Sequence, residues 1–329
     1  MVRSAPAQKA FPFPLRIKTR VFRSRFSSSK APRRSSTNWF GAFELRCALA
    51  NGTDRRTVSD GGNVAAGIQW SPDDARLLYR ADEDSPDVIA RYSVAPEGGD
   101  RRRVSGDLDP SREVPGGFAC SADGAHVAYA MARRADKAVE LYVAPLGGGD
   151  PHGVSDELAG FGIWTACAWS PDGSVLAFLT EAGGLFTFDP SNDRLVEIDL
   201  DVVPGFVWAP VGLRIAYRTA DGTLHAFSVD NGIGTSIGKC RADFAWSPDG
   251  LRLAFFALSD GLHSLFTASY DGGPWSLTSD IDPLRELLGP PAWSNSGNRI
   301  AFRAKRADGG LELYLAWPYG GAIRLACSE

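Results

Sequence analysis

The feature that most limits what this chain can fold into is a tryptophan that returns at a near-fixed interval. Trp70, Trp169, Trp208, Trp246 and Trp293 mark five copies of one unit and Cys120 marks a sixth, at spacings of 50, 49, 39, 38 and 47 residues. In the clearest copy the marker opens Trp246-Ser247-Pro248-Asp249-Gly250, and Leu251-Arg252-Leu253-Ala254-Phe255-Phe256 follows. Proline fixes φ at the second turn position, aspartate bonds locally and glycine frees the exit, so Ser-Pro-Asp-Gly reads as a type I turn between two strands. Nine residues after each marker stands an aromatic: Tyr79, Tyr129, Phe178, Tyr217, Phe255 and Phe302. Two residues before it stands an aliphatic: Leu77, Val127, Leu176, Ile215, Leu253 and Ile300. The residue between is alanine (Ala128, Ala177, Ala216, Ala254, Ala301), except for Leu78.

The second half of each unit repeats as well. A third strand carries Tyr92, Tyr142, Phe186, Phe266 and Tyr314, with His225 in the remaining copy. Gly98-Gly99, Gly148-Gly149, Gly272-Gly273 and Gly320-Gly321 follow in four copies, and a fourth strand ends near Val104, Val154, Leu277 and Leu325. Four strands in a period of roughly 40–50 residues describe the blade of a β-propeller. One blade cannot bury its own apolar faces, so blades must stack face to face.

The succession W-S-P-D-G, I-A-F, L-Y, G-G and a final apolar strand resembles the TolB-type, WD40-like propeller repeat, over roughly residues 42–327. The Gly-His…Trp-Asp signature of true WD repeats is missing. The turn pattern is broken at Cys120-Ser121-Ala122-Asp123-Gly124, Ala209-Pro210-Val211-Gly212 and Ser294-Asn295-Ser296-Gly297. The resemblance implies an all-β propeller and an interaction scaffold. It does not bring the partners or envelope role of TolB, because this architecture hosts many unrelated activities.

The six full four-stranded units are preceded by half of another. Phe43-Glu44-Leu45-Arg46-Cys47-Ala48-Leu49 through Val58-Ser59 matches the back half of a copy, such as Val139 through Ser155. Either residues 11–40 build a worn first blade of a seven-bladed ring, or six blades close and the half packs at the seam. Seven is preferred, since an open ring leaves unpaired edges. Residues 1–37 read as a disordered basic tail and 38–329 as the propeller. The tail is Arg- and Ser-rich without an apolar core, so a transit peptide or an upstream start remain open readings, and a secretory signal does not fit.

Charge divides the chain in the same place. Residues 1–43 hold ten Lys or Arg and no acid; removing these from 35 basic residues leaves 25 against 39 acidic ones, a body of about −14. An acidic body opposes nucleic-acid binding, which needs a basic face for phosphates. No apolar run approaches the roughly 20 residues of a membrane-spanning helix.

Chemistry-bearing motifs are scarce. Five cysteines, at 47, 120, 167, 240 and 327, match no metal spacing and read as small buried hydrophobes. His126, His152, His225 and His263 read as packing or surface residues. No Gly-x-Ser-x-Gly elbow and no phosphate loop occurs. The clusters Asp82-Glu83-Asp84 and Asp280–Asp282 could suggest Ca²⁺ but read better as solvated hairpin tips. No cofactor or metal is expected, and the chain reads as non-catalytic, cytoplasmic and monomeric, with periplasmic or organellar placement open.

Hairpin logic sorts the loops. The Ser-Pro-Asp-Gly and Gly-Gly turns share one end of the sheets. The second turns and the interblade connections share the other, which carries the length variation and is the expected binding face. The connections feed the innermost strands, so Arg112, Glu113, Trp164, Asp201, Arg241, Asp243, Arg285 and Glu286 are the candidate partner-binding residues around a central funnel. The marker tryptophans themselves are expected in the core. The expected function is a propeller scaffold that binds a protein or peptide. The alternatives are a gating partner of a prolyl-oligopeptidase-like hydrolase and a propeller lyase acting on polysaccharide.

Overall fold

The structure is a computed structural model that describes residues 19–25, 43–49, 53–61, 63–65, 67–84, 88–106, 112–113, 118–133, 138–155, 158, 163–241, 243–259, 262–278, 286–305 and 309–325. Every regular element among them is a β-strand. The chain divides into two compact units, Met1–Ser105 and Gly106–Glu329.

The first unit holds two antiparallel sheets. Sheet 1 joins Thr19–Arg25, Phe43–Leu49 and Arg56–Thr57. Its first strand comes from the basic head and pairs with the leading half-unit over seven residue pairs, from Thr19 against Leu49 to Arg25 against Phe43. Sheet 2 is the first marked copy: Gln69–Trp70, Leu77–Ala81, Ala90–Val94 and Arg102–Arg103. The connection between the sheets is bonded to both, Val64 N–H to Phe43 O at 2.9 Å and Ala65 N–H to Arg80 O at 2.7 Å.

The second unit holds five sheets, one per marker from Cys120 to Trp293. Sheets 4 to 7 each run in chain order through four strands: 163–199, 202–239, 244–276 and 286–325. Sheet 3 departs from the expected four. Its first strand is split into Arg112–Glu113 and Phe118–Cys120, both paired with His126–Arg133, so it counts five. The split continues a trend, for the first strands of sheets 4, 5 and 7 carry register shifts between Ile163 and Cys167, Val202 and Phe206, and Leu288 and Ala292. Bulges of this kind bend a strand and re-aim its side chains.

The repeat columns explain the packing. In sheet 6, Leu253 and Phe255 pack with Ala216, Leu224 and Ile237 of sheet 5, while Ala254 packs with Ile300 and Phe302 of sheet 7. Sheet 4 does the same, with Leu176 and Phe178 against sheet 3 and Ala177 against sheet 5. The second strand is therefore buried on both sides. Its bulky residues face the preceding sheet and its alanine receives those of the following one, which is why the middle residue is small. The aromatics of strands two and three are directly opposed and stacked in all six copies, for instance Phe178–Phe186 at 5.7 Å and Phe302–Tyr314 at 5.2 Å. His225 takes its place in this column, 5.3 Å from the Tyr217 ring.

One expectation is corrected. The marker tryptophans are not uniformly core: Trp246 is 7% exposed, but Trp70, Trp169, Trp208 and Trp293 are only half-buried. In the second unit their indole N–H groups reach across to the first strand of the preceding sheet. Trp169, Trp208, Trp246 and Trp293 donate to the carbonyls of Ala119, Ala168, Val207 and Ala245 at 2.9, 3.0, 3.1 and 3.1 Å. A ring that must present its polar edge to a neighbouring strand cannot sink wholly into the apolar layer.

The turns also act between sheets. In Ser247–Gly250 the Gly250 N–H returns to Ser247 O at 2.9 Å, and the Ser247 hydroxyl accepts the Arg252 N–H at 2.9 Å while donating to Asp249. Gly250 has φ +68°, and a Cβ there would overlap the Val211 carbonyl in the preceding turn. Gly173 repeats this, its missing Cβ lying 2.7 Å from Asp123 N and 2.9 Å from Ala122 N. Tyr270 N–H bonds Leu251 O at 3.1 Å, joining the third turn to the first and confirming that both occupy one end of the sheets.

Candidate functional site: the loop end of the second unit

The sequence-derived candidates separate on the structure. Arg285 lies outside the described residues. Arg112, Glu113, Trp164 and Glu286 are placed by their backbones: Arg112 and Glu113 in the split strand of sheet 3, Trp164 beside the bulge of sheet 4, and Glu286 opposite Lys305 at the start of sheet 7. Asp201, Arg241 and Asp243 are exposed, in the connections leading into sheets 5 and 6.

These connections are held by backbone bonds. Asp201 N–H donates to Asp199 Oδ1 at 3.1 Å, and Asp201 O accepts from Ala220 N–H at 3.0 Å. Arg241 N–H donates to Phe256 O at 2.9 Å, and the Cys240 thiol lies 3.9 Å from Asp243 O. Arg241 is thereby fixed at its backbone while its side chain is free to serve another group. Its Nη1 lies 2.8 Å from Nδ1 and 3.0 Å from Nε2 of His263, so the guanidinium rests against the imidazole. Arg218, at the end of the second strand of sheet 5, bonds the Arg241 carbonyl and the Cys240 carbonyl. Arg218 is thus tied to the backbone of the connection that carries Arg241, while the Arg241 guanidinium rests on His263.

Neighbouring charges at the same end are paired. Lys239 Nζ bonds Asp221 Oδ2 at 2.8 Å, with Asp221 O and Thr223 Oγ1 both at 2.9 Å, and the Lys239 bond leads the contacts that hold the Asp221 carboxyl well below the usual range. Tyr217 donates to Asp199 at 3.1 Å; burial and then that carboxylate push the phenol up. Arg218 and Arg241, in contrast, have no salt bridge among the described residues.

The acidic cluster Asp82-Glu83-Asp84 of the first unit is a network, not the solvated tip expected. Glu83 is 1% exposed at its side chain, 3.1 Å from Arg101, and accepts from Tyr79 OH at 3.0 Å and Asp60 N–H at 3.0 Å. Burial raises its pKa. Asp84 accepts from Tyr92 OH at 2.8 Å and pairs with Arg101 and Arg103, both at 3.4 Å. No group able to hold a metal occurs among the described residues. Cys47 and Cys240 are buried, Cys120 and Cys167 half-buried, and burial pushes the Cys47 thiol up to about 11. No described helix is long and apolar enough to cross a membrane.

Sequence reasoning found Arg241 but not its companions. Arg218 falls one residue beyond the aromatic of the second strand, at an alternating position that the repeat columns leave unread. His263 was seen only as an isolated histidine, because the hairpin that returns it towards Arg241 is not visible as a spacing.

No family model matches the chain, and no curated protein matches it. Solved structures do. A TolB from Acinetobacter baumannii aligns at 19% identity and TM-score 0.34, covering 70% of this chain and 58% of its own. An oligogalacturonate lyase in complex with manganese aligns at 15% and 0.43, covering 84% of this chain and 83% of its own. An oligogalacturonate lyase from Vibrio parahaemolyticus aligns at 13% and 0.42, covering 84% of each chain. By its own repeat columns and strand order, the chain is an all-β protein of successive antiparallel sheets of the propeller-blade kind, and its repeat is similar to the TolB type.

Proposed function

We propose that the protein is a non-catalytic propeller scaffold that holds a protein or peptide partner at the loop end of its second unit. The partner offers an acidic segment, received by Arg218 and Arg241. The observation that carries this reading is two guanidinium groups, Arg218 and Arg241, with no carboxylate partner among the described residues, in a body that holds 25 basic and 39 acidic residues outside the head. In an acidic body, two arginines at one end that meet no described carboxylate are open to one from a partner, and guanidinium is the side chain best suited to a planar carboxylate.

The test uses the full chain and a fluorescein-labelled peptide of alternating Glu and Ser, with a Lys/Ser peptide as control. Anisotropy at 150 mM salt is expected to show binding of the acidic peptide alone, weakened about tenfold by Arg241→Ala, which corresponds to ~1.4 kcal/mol. Affinity should fall further as salt rises. Equal binding by wild type and variant sinks the reading. Polygalacturonate runs in parallel, and its cleavage with the appearance of unsaturated product would replace the scaffold by the lyase alternative.

A further inference from the structure

The chain holds nine tryptophans, of which five are repeat markers. Two of the others, Trp275 and Trp317, meet at the turn end of sheets 6 and 7, opposite to the loop end. Trp275 is the middle residue of the fourth strand of sheet 6 and is 38% exposed; Trp317 and Tyr319 belong to the third turn of sheet 7 and are 36% and 79% exposed. Trp275 Nε1 donates to Pro318 O at 3.2 Å, which ties the two sheets together. The Arg252 guanidinium lies 5.0 Å from the Trp275 ring centre and 4.5 Å from that of Tyr319. Leu251 and, in the preceding turn, Val211 are exposed beside them.

The repeat itself shows what is missing here. Arg252 stands five residues after Ser247, and Arg76 stands five after Ser71 in sheet 2. Arg76 meets a carboxylate of its own sheet, Asp100, at 2.8 Å, and also bonds the Asp100 carbonyl and Ser93. Arg252 has no salt bridge among the described residues, and its Nη1 is buried without an acceptor. Asp249 feels its charge, but that carboxylate is taken by the Ser247 hydroxyl and the Leu251 N–H. The same column position is thus satisfied by an internal acid in one copy and left to two aromatic faces in another. The guanidinium has two ring faces where Arg76 has a carboxylate, and a partner's carboxylate at its edge would add the charge-assisted bond that this copy lacks.

We propose that this aromatic platform is a second docking site, for a partner segment that sets an aromatic or leucine side chain next to an Asp or Glu. The apolar side chain lies on Tyr319 and Trp317, and the carboxylate meets Arg252. Tryptophan, tyrosine and arginine are the residues that dominate binding energy at protein interfaces. Here they are held in place before any partner arrives, which lowers the ordering cost of association. With the loop end occupied by one partner and the turn end by another, the unit would bridge two proteins.

The test is panning of a random dodecapeptide phage library against the full chain, followed by affinity measurement on the enriched peptides. Peptides with an aromatic or leucine adjacent to Asp or Glu are expected, losing at least tenfold in affinity with Tyr319→Ala and unchanged with Arg241→Ala. Tyr319 is exposed enough that its loss should leave the melting temperature in place. Replacing the acid of the peptide by its amide should cost a similar factor. Three results overturn the proposal: enrichment of proline-rich peptides without acids, enriched peptides indifferent to Tyr319→Ala, or a lowered melting temperature in Tyr319→Ala with binding intact. Peptides that depend on Arg241 and not Tyr319 would remove this site while leaving the loop-end reading standing.

Discussion

At the turn end of residues 106–329, Gly173 and Gly250 press on the backbone of the preceding turn, so that sheets 4 and 6 are locked to the sheets before them. At the loop end, Arg218 and Arg241 extend from the same sheets and meet no described carboxylate. The two ends are built by the same strands, yet the repeat is tight at one and loose at the other. The turns all keep a left-handed glycine four residues after the marker (Gly124, Gly173, Gly212, Gly250 and Gly297), and at Gly173 and Gly250 the turn has two obligations, to close its own hairpin and to fit its neighbour. The loop end has only the first. Its connections can lengthen, bulge and carry charges without breaking contacts between sheets. The aromatic platform qualifies this division, for it occupies the turn end at sheet 7, where the third turn carries Trp317 and Tyr319.

The largest effect that tests the comparison comes from the markers. Trp246→Ala removes a buried ring and the indole that holds Val207 O, so a loss of about 3–5 kcal/mol is expected in urea unfolding. Trp246→Phe keeps most of the packing and leaves that carbonyl without its donor, at ~1–2 kcal/mol. If both variants unfolded like the wild type, the indole ladder would be incidental. Gly250→Ala comes next. The left-handed backbone costs a side chain roughly 1–2 kcal/mol, and the overlap with the Val211 carbonyl adds to it. A loss above ~2 kcal/mol is expected, and a loss near zero would break the claim that turns pack on turns.

Much of this was legible in the sequence. The marker, aliphatic and aromatic columns predicted the strands and their order, because each column answers one packing need that recurs in every copy; that the two aromatic columns stand ring against ring needed the structure. The alanine column could be read as a rule, although its reason, to receive the bulky pair of the next sheet, needed the structure. The strand Thr19–Arg25 was legible only through the reading of residues 11–40 as a worn first blade, since it carries arginine and serine where the columns carry apolar residues. The split first strand of sheet 3 was hidden for a similar reason: bulges change pairing without changing composition. At the loop end, Arg241 could be found from its place before a first strand. Arg218 and His263 could not, because what joins them to Arg241 is the return of a hairpin and a carbonyl bond, neither of which leaves a spacing. Trp275 and Trp317 did leave a signal, as tryptophans off the marker column.

Acid should probe the turn end at a smaller scale. The Ser71 hydroxyl holds Asp73, and the Ser247 hydroxyl holds Asp249, below the usual carboxylate range. Asp172 is pushed up by partial burial, but its bonds from Ser170 and Ser174 prevail and lower it. A carboxylate with a folded pKa below its unfolded value of ~3.9 stabilises fully above that pH and loses its contribution as pH falls through the folded value. Stability should therefore fall between about pH 4 and pH 2. Ser247→Ala should cost ~1 kcal/mol at neutral pH and make the acid fall shallower, measured as urea midpoints across that range. An unchanged acid slope would show that these carboxylates draw nothing from their serines.

The smallest expected change in stability is the one that decides the comparison. Arg241→Ala removes an exposed guanidinium whose described side-chain contact is His263, while the backbone bond from Arg241 N–H to Phe256 O is retained. Its unfolding free energy should stay within ~0.5 kcal/mol of wild type, against several for Trp246→Ala in the same unit. If Arg241 instead cost as much as a turn glycine, the loop end would share the structural duty of the turn end. Arg218 gives the gradation. It caps the Cys240 and Arg241 carbonyls, so Arg218→Ala should cost more than Arg241→Ala, by the ~1 kcal/mol of a lost hydrogen bond. The order Trp246, Gly250, Arg218, Arg241 follows from what each residue holds, a buried ring with an interstrand bond, a turn pressed on its neighbour, two carbonyls of a connection and one exposed contact, and stability measured on the four variants tests that order directly.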